Sequence, residues 1–502
     1  MADYKHGAYG QIQAVGIRQP AESQSAIVYV GTAPVHTLAL ATGETYNVNR
    51  PVLVNNMAEA RKYFGYSDDW ANYTLCEAMH VHLEQKGVGP LVFINVLDPT
   101  KADHKNTTQV SNDLTPANGQ IIIASAESII LESVVIQTKD DTPVTKVKGT
   151  DYSIAYDIDR QTIIITELPT GSLGTSALTV TYYTIKPSGV TNSDVIGATD
   201  GLGSNTGLYA VNNVYQVTGY IPSFLGAPGF SCVPAIHSAM YSVSQKINGH
   251  WDAYMFVDLP LTNGGTVLTL DTAVTYKNGN GYTKKNETVY FPMVSGTDGK
   301  YYHLSVLAAA NFQELLMDQE GIPYRTASNT ECAIIANLYT SNSDTGRVYD
   351  DNIINQKLNK NGIASAAYVG GRWAIWGAHS AEYSQTNGDN INVSETNVMM
   401  LYYISNDFQH RRTFDVDKPM TANDLRTIVS EEQTRLDALK NIGAILFGEV
   451  YVKMDAQAKS DIMNGDYAFT FNITTTPIAK SLTADVNWTD EGFVTYFEQL
   501  AA

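Results

Sequence analysis

Histidine, cysteine and carboxylate pairs close in sequence are where chemistry would start, and this chain offers several. His80-Val-His82 could bring two imidazoles to a metal ion. On a helix, however, residues two apart point about 200° from each other, and no Asp/Glu/His cluster nearby completes a site, so both read as ordinary helix residues. Cys232 and His237 have the residue types of a thiol nucleophile and its base. Pro234 between them opens a helix and Phe230-Ser-Cys-Val233 is expected as an apolar strand, which makes Cys232 a buried structural thiol. Asp157-Ile-Asp159 and Asp415-Val-Asp417 have paired-carboxylate spacing, but alternate strand residues share one face and mostly mark solvated surface. Gly201-Leu-Gly-Ser-Asn-Thr-Gly207 has one residue too many for the dinucleotide fingerprint and follows polar sequence, so it is expected as a loop. The Walker pattern, G-x-S-x-G and H-E-x-x-H do not occur. The residues therefore imply no catalytic, cofactor-binding or metal site, and the expectation is a protein that is not an enzyme and carries no cofactor. The rival from another class is a hydrolytic enzyme with an α/β core and a β accessory domain, which requires a concave site with convergent polar groups.

The totals narrow the partners. Lys and Arg number 32 against 51 Asp and Glu, a net charge of -19 that repels phosphate backbones and anionic membranes, so no nucleic acid partner is expected. No apolar run of 18 residues occurs and the first residues lack the order of a signal peptide, so neither membrane insertion nor export is expected. Cys76, Cys232 and Cys332 are odd in number and far apart, which fits a reducing cytoplasm. The 31 Tyr combine large contact area with a polar tip and suit extensive interfaces.

Positioning elements follow from periodicity. The 502 residues exceed one core, and the pattern predicts a multidomain α/β and α+β chain. Residues 21–97 and 201–350 read as an α/β core. Ala26-Ile-Val-Tyr-Val-Gly31, Leu91-Val-Phe-Ile-Asn-Val-Leu97 and Tyr254-Met-Phe-Val-Asp-Leu-Pro260 are buried strands. Asn56-Met-Ala-Glu59 and Thr74-Leu-Cys-Glu77 have capping-box spacing, and Leu75, Met79 and Leu83 repeat every four residues until Gly87. Residues 98–200 lose the helical signals. Ile121-Ile-Ile123, Ser133-Val-Val-Ile136, Thr162-Ile-Ile-Ile-Thr166 and Leu178-Thr-Val-Thr-Tyr-Tyr183 predict an all-β insertion into that core.

Residues 351–489 read as a C-terminal α+β domain. Its helix from Ala422 to Lys440 has an apolar stripe of Leu425, Ile428, Val429, Leu436 and Leu439, with Arg426, Glu431, Glu432, Arg435, Asp437 and Lys440 on the other faces. Phe469, Phe471 and Ile473, then Leu482, Ala484, Val486 and Trp488, alternate with polar residues and predict two half-buried strands. Apolar positions also recur in both terminal stretches, residues 1–20 and 490–502.

The order of several fragments resembles the contractile phage tail sheath family: Ala26-Ile-Val-Tyr-Val-Gly-Thr-Ala-Pro34, Tyr63-Phe-Gly65, Asp151-Tyr-Ser-Ile-Ala-Tyr-Asp157, Leu225-Gly-Ala-Pro-Gly229, Val257-Asp-Leu-Pro260, Tyr290-Phe-Pro-Met293, Asp318-Gln-Glu-Gly-Ile-Pro323, Asn361-Gly-Ile363 and Arg372-Trp-Ala-Ile-Trp-Gly377. Family members commonly have Pro-Trp where this chain has Pro292-Met293, and an Arg-Thr pair where it has Ala378-His379. The resemblance implies a structural subunit that polymerises as stacked six-fold rings around a tail tube and contracts to drive the tube through a cell envelope. It implies partners: further copies of the chain, the tube protein, and baseplate and tail terminator proteins. The setting would be a phage tail, or a headless contractile bacteriocin or injection system, made in a bacterial host cytoplasm. It further implies that terminal arms add strands to a neighbour's C-terminal-domain sheet. The N-terminal arm is expected at Tyr9 to Pro20, with Ile12, Ala14, Val15 and Ile17. The C-terminal arm is expected at Gly492 to Leu500, with Phe493, Val494, Tyr496 and Phe497. The charged helix resembles the tube-gripping element, with Arg426, Glu431, Glu432, Arg435 and Lys440 as contacts.

Overall fold

Runs of β-branched and aromatic residues bounded by Gly and Pro build the centre of the molecule. A computed structural model describes residues 25–41, 43–336, 349–384, 394–454 and 458–501. Eight strands form one sheet in the order Arg372–Trp376, Ile363–Val369, Glu287–Tyr290, Tyr254–Asp258, Ile221–Gly226, Ser25–Gly31, Leu91–Asn95, Val52–Val54. The six inner strands run parallel and only the two edge strands are antiparallel. Parallel strands need both faces covered, and the side chains divide accordingly. Ile27 and Tyr29 pack on one face with helices Met57–Phe64 and Leu304–Asp318 and the helical stretch 74–86. Ala26, Val28 and Val30 pack on the other with Pro234–Ser244, Leu270–Gly279 and Asp351–Lys357.

Three local expectations are corrected. Phe230-Ser-Cys-Val233 is a turn and the strand is Ile221–Gly226, because the positive φ of Gly229 (74°) and Pro234 at the start of the next helix leave no room for extension. Thr74 does not cap its helix but is its first residue. Its hydroxyl faces Thr32 N at 3.3 Å, and Glu77 turns to His303. Residues 79–86 are wound as a π-helix, with hydrogen bonds that span five residues.

Between Leu91–Asn95 and Ile221–Gly226 lie two antiparallel three-stranded sheets. One is ordered Val110–Leu114, Leu178–Tyr182, Val135–Thr138, and the other Gln120–Ile123, Thr162–Glu167, Tyr152–Asp157. They enclose their own core of Ile121, Ile136, Ile163, Ile165 and Val180.

The chain divides into units 1–430 and 431–502. Residues 363–376, expected in the C-terminal domain, instead close the central sheet, because Val289 and Tyr290 present an open parallel edge that Ile363 and Ala364 pair with. The second unit holds the end of helix Ala422–Asn441, the hairpin Ile445–Val452/Phe469–Thr475, and helices Ala458–Asn464 and Glu491–Ala501. Gln433 ties helix to hairpin: its amide donates to Gly448 O at 3.0 Å and its oxygen accepts from Val450 N at 3.2 Å. Residues 481–488, expected as a strand, have no regular structure and are exposed throughout. Alternation is what a strand shows once it has a partner, and among the described residues this segment has none.

Candidate functional site

A doubly wound sheet offers a ligand crevice where strand order reverses, here between the carboxyl ends of Ser25–Gly31 and Ile221–Gly226. That position is filled. A Cβ on Gly31 would stand 2.4 Å from the Thr74 hydroxyl, and one on Gly226 would stand 2.5 Å from the Tyr29 ring, so glycine is what allows the close approach. Thr74 and Thr32 bond each other there in both directions, at 3.3 and 3.1 Å.

The buried polar groups around this point are paired inward. His82 Nδ1 lies 2.6 Å from Gln313 Oε1 and its Nε2 lies 2.8 Å from the Tyr29 hydroxyl, while the Gln313 amide donates to Pro90 O at 2.8 Å. Burial lowers the pKa of His82 to about 4. Glu77 accepts from both the backbone N and Nδ1 of His303, each at 2.6 Å. Burial alone would lower His303, but the Glu77 charge and bond, with Asp258, outweigh it and raise the pKa to about 9. Asp258 accepts from Ser305 N at 3.0 Å and from the Ser305 hydroxyl. On the opposite face His237 Nε2 meets Glu287 at 2.6 Å, and buried Lys277 donates to Ala381 O at 2.6 Å, with its pKa brought down to about 8 by burial. Each of these bonds joins elements of the core, and none presents a converged set of groups to solvent.

The residues whose types and spacing suit chemistry are dispersed. His80 bonds Glu84 at 2.8 Å, away from His82. Cys232 lies in a turn and is half-buried, with Sγ 3.5 Å from Gly229 O, while His237 is committed to Glu287. Burial pushes the Cys232 and Cys332 thiols up to about 11 and about 12, and Cys76 up as well, so none is a thiolate near neutral pH. Asp415 is paired with Arg412 and Lys418 at 3.3 and 3.1 Å. Among the described residues no group of three or more His, Cys, Asp or Glu is placed to hold a metal ion, and no helix is long and apolar enough to cross a membrane.

The surface carries the more unusual features. In helix Ala422–Asn441, Arg426, Glu431 and Lys440 are exposed and Arg435 is half-buried. Glu432 is 1% exposed, which corrects its expected place on the charged face. It stands four residues after Ile428 and four before Leu436, in line with the apolar stripe. Ile12, Ala14, Val15 and Ile17 lie outside the described residues. Phe493, Val494, Tyr496 and Phe497 belong to helix Glu491–Ala501, not to a strand. Positions 493, 496 and 497 fall at helical spacing, and the Phe493 and Phe497 rings stack at 6.4 Å. Before that helix Leu482 is 92% exposed, Val486 91% and Trp488 80%. Along this segment Leu482, Val486 and Trp488 alternate with polar residues.

No family model matches the chain. It is 27% identical over 273 residues to the tail sheath protein of Burkholderia phage BcepMu, covering 53% of this chain and 50% of that relative; the chain thus spans about half of that relative's length. It is 23% identical over 311 residues to the tail sheath protein of Escherichia phage P2, covering 60% of this chain and 72% of the relative. In fold it is similar to a chain of the anti-feeding prophage baseplate, with a TM-score of 0.54 at 12% identity over 97% of this chain and 100% of the other. A sheath chain of an extracellular contractile injection system in its contracted state gives a TM-score of 0.52 at 10% identity, with the same coverage. Both sequence relatives are tail sheath proteins, and the chain shares its fold with chains of contractile injection systems.

Proposed function

We propose that the chain is the structural subunit of a contractile sheath, polymerising as stacked six-fold rings around a tail tube and contracting to drive the tube through a cell envelope. Its partners are further copies of itself, the tube protein, and baseplate and terminator proteins. The similarity to phage tail sheath proteins supports this reading. The observation that carries it is the apolar ladder Leu482, Ala484, Val486 and Trp488, exposed in a chain that also has a hairpin, Ile445–Val452 with Phe469–Thr475, whose strands have only each other as partners among the described residues. A two-stranded sheet is marginal alone, and an extended segment with one apolar face is what its open edge can accept from another copy. Burying Leu, Val and Trp side chains contributes roughly 1.5–3 kcal/mol each. The donor segment is then 481–488, with helix Glu491–Ala501 following it, in place of a strand at Gly492 to Leu500.

Helix Ala422–Asn441 is the element assigned to the tube, through Arg426, Glu431, Arg435 and Lys440. Contraction needs no bound nucleotide: a difference of ~1 kcal/mol per subunit between two lattice states becomes decisive when many subunits switch together. The particle is a phage tail, or a headless contractile bacteriocin or injection system.

Negative-stain microscopy of the chain co-expressed with its cognate tube protein tests the reading. Striated tubes are expected from the full chain and none from a chain lacking residues 479–501. Discrete globular particles from the full chain at all concentrations would refute it.

A further inference from the structure

The inserted β sheets leave and rejoin the core through residues 98–106 and 184–196. These connectors pair with each other. Asn106 N donates to Thr184 O at 2.9 Å, Lys186 N to His104 O at 2.7 Å, and the Asn106 amide to the Thr184 hydroxyl at 2.8 Å. They pass so closely that a Cβ on Gly189 would stand 1.9 Å from the Asp103 carbonyl.

Asp194 sits where they meet. Oδ1 accepts from the Lys101 ammonium; Oδ2 accepts from the Thr191 N–H and hydroxyl at 2.8 and 2.6 Å and faces His104 Nε2 at 3.4 Å. His104 is buried and its Nδ1 accepts the Asp98 N–H at 3.0 Å, which leaves the ring proton on Nε2, the nitrogen that faces Asp194. One carboxylate thus gathers Lys101 and His104 from the incoming connector and Thr191 from the outgoing one. Burial opposes its charge, but these bonds prevail and hold the carboxyl below the usual carboxylate range.

A second polar contact stands apart from the connectors. Glu127 O lies 2.7 Å from His36 Nε2, the Glu127 carboxylate accepts from the Ser67 hydroxyl, and Glu132 Oε1 accepts from Leu40 N at 2.8 Å. Ile130 and Ile185 supply the apolar part of the junction, within the core cluster of the central sheet.

We infer that Asp194 and Glu127 are the two pins of a latch that fixes the pose of the inserted β domain on the core, so that the two turn as one body. A body held at one polar point can still rotate about it; a second point leaves only rotation about the line joining the two, which the packing of Ile130 and Ile185 opposes. The latch concerns this chain alone and holds whether or not the chain polymerises.

The test uses the purified full-length chain with Asp194→Asn, Glu127→Ala, which removes the acceptor of the Ser67 hydroxyl, and the pair, and Lys101→Met as an independent way to loosen the first pin. Hydrogen exchange should become about tenfold faster at amides 98–106 and 184–196 in Asp194→Asn and Lys101→Met, with amides 135–138 and 178–182 inside the inserted sheets unchanged. Spin labels on Thr142→Cys and Asn278→Cys, both exposed positions, in a Cys232→Ser background should show a distance distribution about twofold broader in the pair than in the parent. Unchanged connector exchange and an unchanged distribution would overturn the inference, since Ile130 and Ile185 would then fix the pose alone. Equal loss of protection inside the inserted sheets would overturn it too, because the carboxylates would be supporting that domain's fold and not its pose.

Discussion

The Tyr29 hydroxyl lies 2.8 Å from Nε2 of His82, whose other ring nitrogen is held by Gln313. Gln313 Oε1, 2.6 Å from Nδ1, can only accept, so Nδ1 carries the proton and Nε2 receives one from Tyr29. The Tyr29 hydroxyl could turn to accept from an imidazolium, so it is burial that disfavours the charged form. Burial lowers His82 to about 4 against the opposing Gln313 bond, and lowers His36 to about 4 against its bond to Glu127 O. Both pKa values are depressed from an unfolded value of about 6.5, so their contribution is present above that pH and is lost as pH falls from there toward 4, by roughly 3 kcal/mol for each at the acid end. His82→Gln should lower stability at pH 7.5 and flatten the stability curve between pH 6.5 and 4. Denaturant unfolding at stepped pH measures this, and an unchanged slope in the variant would contradict it.

His303 has the opposite sign. Its folded pKa is raised to about 9 by Glu77 and Asp258, so the stabilisation is complete below about pH 6.5 and is lost as pH rises through 9. His303→Asn should cost about 2 kcal/mol near pH 7 and little above pH 10, because the parent has by then lost the same interaction. Thermal melts across pH 6 to 10.5 would show the two curves converge; curves that stay parallel would mean that packing, not charge, is what His303 supplies.

Both histidines show where the sequence stopped being legible. Ala26 to Gly31, Leu91 to Leu97 and Tyr254 to Pro260 could be read as strands because burial on both faces leaves nothing but apolar residues, and the structure places strands there within two residues. The stripe from Leu425 to Leu439 gave its helix in the same way. His82 meets Gln313 across 231 residues and Glu77 meets His303 across 226, and no local pattern records such pairs. The Thr74 capping box failed because the Thr74 hydroxyl accepts from a tertiary partner, Thr32 N, in place of the helix end that the local rule assigned it. For Glu432 the signal is its helical register with Ile428 and Leu436, which puts it on the apolar side in spite of its charge.

That register separates two neighbouring charges. Glu431 is exposed and Glu432 is 1% exposed, so reversing each should have different consequences. Glu431→Lys should leave stability within about 0.5 kcal/mol and weaken co-sedimentation with tubes. Glu432→Lys should cost about 3–5 kcal/mol, since it puts the wrong charge in a buried position, and should reduce soluble yield whether or not tubes are present. Circular dichroism melts alongside a tube co-sedimentation assay distinguish them. Equal melting temperatures for the two variants would mean that the helix face is assigned wrongly.

The exposed ladder makes the opposite demand, that substitution harm assembly and spare the subunit. Val486 and Trp488 touch solvent over nine-tenths and four-fifths of their surface, so their replacement removes almost no burial from the isolated chain. Val486→Asp with Trp488→Ser should therefore shift the unfolding free energy by less than about 0.5 kcal/mol. In a copy-to-copy contact the same two changes remove roughly 3–6 kcal/mol of apolar burial per junction, enough to lower each junction's equilibrium constant by a factor of about 100 or more. Sedimentation velocity at matched concentration reads the polymer directly: parent polymers with a dispersed variant of unaltered stability is the expected pair of results. Intact polymers from the variant would place the junction elsewhere, and a destabilised variant subunit would mean that the ladder is sheltered within its own chain.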